Sequence, residues 1–100
     1  MNIFEQTIND WTASVLTKEY KYEAKDTSEI IGLIEHPPNL ELGDYALPCF
    51  SFSKTLRRSP VVIASDLAEK LQNYILPNAP FTQIQARGPY LNFTVSSSAV

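Results

Sequence analysis

One hundred residues, 44% of them hydrophobic, suffice for one globular domain with its own core but leave little room for an enzyme with a deep pocket. A net charge of -3 argues against a chain that grips nucleic acid, DNA above all, by bulk electrostatics. No apolar run is long enough to span a bilayer, so no membrane partner is expected. A single cysteine, Cys49, cannot close an internal disulfide, and no charged-then-apolar leader opens the chain, so a reducing, cytoplasmic setting is expected. The sequon Asn92-Phe93-Thr94 is then a chance match. Charge is unevenly spread: residues 1–53 hold three basic and nine acidic groups, residues 54–100 five basic and two acidic. Any polyanion should meet the second half.

In chain order, Asn2 and Glu5 form an N-cap pair, and Phe4, Ile8, Trp11 and Val15 recur at helical spacing, which predicts a helix over residues 3–18. The charged run from Lys18 to Glu29 has no period and reads as a connection, with room for a helical turn after Asp26. Ile30 to Glu35 is β-branched and apolar and stops at His36-Pro37-Pro38, so it is expected as a first strand. A second strand follows "NLELGD" over Asp44 to Leu47, with Gly43 freeing the turn and Pro48 ending the strand. Residues 49–56 fit either a strand or a short helix. Ser59-Pro60 is a helix start, a capping hydroxyl followed by proline at the first helical position, and Ile63, Leu67, Leu71, Tyr74 and Ile75 mark one buried face up to residue 75. Phe81 to Arg87 and Tyr90 to Val95 are expected as strands joined at Gly88-Pro89, and "SSSAV" reads as a linker. The fold class is thus α+β: a two-layer sandwich in α-β-β-α-β-β order, with two helices on a mainly antiparallel four-stranded sheet.

The last strand carries the chemistry. Residues two apart share a face, so Tyr90 and Asn92 point one way and Leu91 and Phe93 the other. With Arg87 nearby, that face offers an aromatic plate, an amide and a cation, a set able to hold a flat, hydrogen-bonding base. By pattern alone the plainer alternative is stronger: an edge-strand aromatic and a surface amide. Lys54, Arg57 and Arg58 form a solvated charged face or a phosphate contact. Trp11 lies on the core stripe, Cys49 reads as a small buried hydrophobe, and Asp44 as a turn aspartate bonded to its own backbone. His36 reads as a loop residue, and one histidine with one thiol gives neither a metal cluster nor a catalytic triad.

Three ordered stretches, "LGDYALP", "LRRSPVVIASDLAEKL" and "ARGPYLNF", together resemble the N-terminal additional domain of arginyl-tRNA synthetases, over almost the whole chain. The resemblance implies an RNA-recognition appendage over residues 1–95, with 96–100 opening a linker to a catalytic domain. It implies contact with the D-loop at the outer corner of tRNA(Arg), where Tyr90 and Asn92 match positions that read an exposed base and Arg87 a neighbouring polar contact. Arginine activation with ATP and magnesium would belong to the parent ligase. The family's His-Ile-Gly-His-like and Lys-Met-Ser-Lys-like signatures do not occur in these residues, so the chain alone is expected to be inactive and to hold no cofactor. A structural or protein-binding module of the same fold is the competing reading.

Overall fold

The computed structural model describes residues 3–22, 29–38 and 42–96. The first helix, α1, spans Ile3–Tyr20 and buries Ile8, Val15 and Leu16, with Phe4 and Trp11 packed half-buried beside them. Asn2, the turn after Asp26 and the Ser97–Val100 tail lie outside the described residues. Strand β1 (Tyr45–Pro48) leads into α2 (Phe50–Leu56) and α3 (Pro60–Leu71), and the hairpin β2 (Phe81–Arg87) and β3 (Tyr90–Val95) closes the fold. The sheet is antiparallel in the order β1-β3-β2, so the last strand is the central one.

The expected four-stranded sheet in α-β-β-α-β-β order is therefore replaced, among the described residues, by three strands and three helices in α-β-α-α-β-β order. Two local outcomes account for the difference. Ile30 to Glu35 is not a strand: Leu33 and Ile34 donate to the carbonyls of Ile30 and Ile31 at 2.9 and 3.2 Å, closing a 3-10 turn over Ile31–Leu33. Only Glu35 pairs with Ala46, through two 2.8 Å bonds, and Pro37 and Pro38 then supply no N-H groups to extend the ladder. A short apolar run has no period that separates a strand from a buried turn, and burial of Ile30 serves the turn equally well.

The ambiguous 49–56 stretch is helical because its two phenylalanines face different ways. Phe52 is fully buried whereas Phe50 is 55% exposed, a split that a strand's period of two would not permit. Arg57, at φ 56°, turns left-handed and ends α2, and its N-H donates to the carbonyl of Ser53. The Ser59 hydroxyl then accepts from the Val62 N-H at 3.2 Å and opens α3 with Pro60 behind it. That helix buries Ile63, Ala64, Leu67 and Leu71 against the sheet and stops at Leu71, four residues earlier than expected, giving way to a 3-10 turn over Gln72–Tyr74. The Gln72 amide donates to the carbonyl of Ile84 at 2.6 Å and ties that junction to β2.

Two glycines shape the sheet's margin. At Gly43 (φ +88°) an added Cβ would lie 2.7 Å from the carbonyl oxygen of Phe93, so only glycine lets the chain pass so close to β3. Asp44 follows, its N-H donating to that same oxygen at 2.8 Å, and its carboxylate accepts from the Val95 N-H at 2.8 Å. The bond expected within its own turn is thus made across to β3. Gly88 (φ +58°) occupies the first central position of the two-residue hairpin turn, with Pro89 fixing the second, the arrangement of a type II′ connection. Cys49 is fully buried, and burial pushes its thiol up to about 12. No helix of the described residues is long and apolar enough to cross a membrane.

Candidate functional site

Strand β3 runs down the middle of the sheet with alternating destinations. Leu91 and Phe93 are fully buried toward the helices, while Tyr90 and Asn92 lie on the opposite, open face. On that face Asn92 stands between Ala46 of β1 and Gln85 of β2, and Tyr90 between Pro48 and Arg87. The small Ala46 side chain leaves room, and the segment after the 3-10 turn arches over it. A cavity of ≈ 310 Å³ results, walled by Arg87, Tyr90, Asn92, Ala46, Glu35, Pro37, Pro38 and Leu42.

The polar groups of this cavity are available. Asn92 is only 6% exposed, yet its amide finds no hydrogen-bond partner among the described residues. Its amide atoms face the cavity rather than being sealed off, since the Thr12 hydroxyl is the buried side-chain polar atom left without a partner among the described residues, and a ligand edge offering both a donor and an acceptor can bond them. Arg87 forms no ion pair among the described residues, and Tyr90, 36% exposed, presents a ring to solvent. The arrangement can sandwich a flat ring beside Tyr90 and read its edge with Asn92.

Of the six residues singled out from sequence, three (Arg87, Tyr90 and Asn92) converge on this cavity. Lys54, Arg57 and Arg58 do not line it. Lys54 lies exposed in the last turn of α2 and Arg57 at its left-handed cap. The Arg58 guanidinium sits 5.5 Å from the centre of the Tyr20 ring and lines a separate ≈ 260 Å³ cavity with Glu19, Asp66 and Lys70. His36 lies 3.9 Å from the Glu5 carboxylate with its ring against Tyr45. Sequence reasoning missed the cavity's other wall: Glu35, Pro37, Pro38, Leu42 and Ala46. The one available signal was a small residue, Ala46, alternating with Tyr45 and Leu47 in a strand otherwise built of large side chains. Among the described residues no three His, Cys, Asp or Glu side chains gather to hold a metal ion.

Fold and site together define a small α+β domain whose helices cover one sheet face and whose other face carries a ligand-sized cavity with an aromatic ring, an amide and a cation. The sequence pattern of the arginyl tRNA synthetase N terminal domain matches residues 2–95, and the chain belongs to that family. It is 44% identical over 78 residues to the arginine–tRNA ligase of Clostridioides difficile (strain 630), covering 78% of this chain and 13% of that protein. Over 75 residues it is 41% identical to the arginine–tRNA ligase of Streptococcus agalactiae (strain NEM316), covering 75% of this chain and 12% of the relative. Among solved structures, Thermus thermophilus arginyl-tRNA synthetase superposes with a TM-score of 0.71 at 26% identity, over 97% of this chain and 15% of that one. The chain thus spans only a small fraction of the length of the relatives it matches.

Proposed function

We propose that this domain is the tRNA-contacting appendage of a cytoplasmic arginine–tRNA ligase, and that its open sheet face receives an exposed D-loop base of tRNA(Arg). Residues 1–95 form the appendage on this reading, and 96–100 begin the connection to a catalytic domain. The observation that carries it is the convergence of the Tyr90 ring, the Asn92 amide and the Arg87 guanidinium on one ligand-sized cavity of the open sheet face. Tyr90 supplies the stacking surface, Asn92 bonds the base edge, and Arg87 meets phosphate beside it. Lys54 and Arg57 add charge from α2, while Arg58, held over Tyr20, adds only its long-range field. Handling of arginine, ATP and magnesium is assigned to the remainder of the ligase.

The test uses the full-length ligase with tRNA carrying either the native D-loop base or a replacement. Tyr90→Ala removes stacking of roughly 1–3 kcal/mol, so kcat/KM for native tRNA should fall about 5- to 150-fold. The loss should shrink on the replaced tRNA, and Asn92→Ala should chiefly erode discrimination between the two. Equal losses on both tRNAs, accompanied by a lowered melting temperature, would reduce the strand to scaffold and defeat the reading.

A further inference from the structure

Tyr90 is not presented alone. Phe50, the first residue of α2, meets it edge to face, with ring centroids 6.0 Å apart and planes at 85°. Core packing does not explain a phenylalanine there: it is 55% exposed, and fully buried Phe52 already anchors the helix. The two rings are held in a set relation, because the Cys49 N-H donates at 3.0 Å to the carbonyl of Pro89, in the turn that launches Tyr90. One helical turn beyond Phe50, on the same side of α2, stands exposed Lys54, with no ion pair among the described residues. Between Tyr45 and Ser65 the sequence contains three cations and no carboxylate, in a chain whose net charge is -3. An exposed ring followed by a free cation, beside a base-sized cavity, is the pattern that single-stranded nucleic acid finds complementary.

We propose that α2 takes the nucleotide adjacent to the one seated between Tyr90 and Asn92: Phe50 stacks on that neighbouring base and Lys54 meets its phosphate. The ligand of the whole face is then a two-nucleotide step of a single-stranded RNA loop. This rests on the reading of the cavity as a base site. Phe50 is exposed, so replacing it should leave folding intact.

The experiment uses the full-length ligase and tRNA(Arg) transcripts that are intact or carry one abasic residue, placed either at the nucleotide that Tyr90 contacts or at a flanking one. Phe50→Leu should lower kcat/KM on intact tRNA about 5-fold or more and lose that effect on the transcript abasic at one flanking position. Phe50→Tyr should restore it, and Lys54→Gln should reduce the slope of log affinity against log salt by about 0.7. A Phe50→Leu variant that leaves intact tRNA unaffected, or weakens every transcript equally, overturns the proposal and makes the ring a brace or a protein contact. If Tyr90→Ala retains its base-dependent loss in that case, only the role of α2 fails. If Tyr90→Ala has lost it too, the cavity reading falls as well.

Discussion

The two sides of this domain use similar polar groups differently. On the helical side, the Tyr20 hydroxyl donates to Asp66, Lys70 pairs with Glu19 at 3.1 Å, Ser14 and Tyr74 share a 2.9 Å bond, and Arg58 covers the Tyr20 ring. On the sheet side, the Asn92 amide and the Arg87 guanidinium have no such partners among the described residues. Cavity size points the wrong way: a ≈ 510 Å³ hollow lies between α1 and the end of α3, against ≈ 310 Å³ at Tyr90. In the larger hollow Lys70 is paired with Glu19 and Tyr74 with Ser14, which leaves Lys18 and Asn73 as its polar side chains without a partner among the described residues. The buried side-chain polar atom without a partner among the described residues is the Thr12 hydroxyl on α1, so what marks the sheet face as a binding face is the gathering of a ring, an amide and a cation around one cavity.

The comparison can be broken most severely at Gly43. Gly43→Ala would force a left-handed conformation on a residue with a side chain and drive its Cβ to 2.7 Å from the Phe93 oxygen. The combined cost should be about 2–5 kcal/mol, a fall in melting temperature of about 10 °C or more. Leu42 walls the cavity and Asp44 clamps β3, so this variant should also weaken tRNA recognition in the full-length ligase. Gly88→Ala meets nothing within 4 Å and should cost only the conformational part, about 1–2 kcal/mol. Equal melting shifts for the two would show that the close approach at Gly43 carries no weight.

The same contrast shows what a sequence can and cannot announce. The face shared by Tyr90 and Asn92 was legible because it depends on strand period alone, and the helix at Ser59-Pro60 because its cap is local. The 3-10 turn at Ile31–Leu33 was not, since a run of isoleucines is equally apolar in a strand. The cavity's second wall depends on where that turn carries Pro37 and Pro38, so missing the turn meant missing the wall. Phe50 was hidden for a related reason: until 49–56 is known to be a helix, its ring has no assignable side. The free state of the amide is a tertiary fact, invisible in any local pattern.

A helical-side substitution sharpens the contrast with a smaller effect. Ser59→Ala removes the 3.2 Å bond to the Val62 N-H and should cost about 1 kcal/mol, or about 4–8 °C in melting temperature. Because α3 packs on the face opposite Tyr90, kcat/KM for tRNA should not change once the enzyme is folded. A selective loss of tRNA recognition in Ser59→Ala, at temperatures well below its melting point, would show that the two faces are coupled.

The smallest effect is confined to high pH. Burial, then the hydrogen bond and negative charge of Asp66, push the Tyr20 hydroxyl up from 10.0 to about 12. A folded-state pKa above the unfolded one means that the native state holds the proton longer, so the contribution is complete below pH 10 and is lost between pH 10 and 12. Tyr22, raised to about 12 by burial and by Glu29, adds to the same window, so only the difference between variant and parent isolates Tyr20. Asp66→Asn should leave stability and tRNA kinetics nearly unchanged at pH 7, because an amide oxygen still accepts the hydroxyl at a half-exposed site. It should bring Tyr20 ionisation down while leaving it above 10, since burial persists, and so make the loss of stability above pH 10 shallower. Tyrosinate absorbance followed with pH, alongside melting curves in the same buffers, reads both effects. If absorbance and high-pH melting are the same in Asp66→Asn and the parent, the Tyr20–Asp66 pair is not formed in solution, and the helical side is less self-satisfied than its geometry implies.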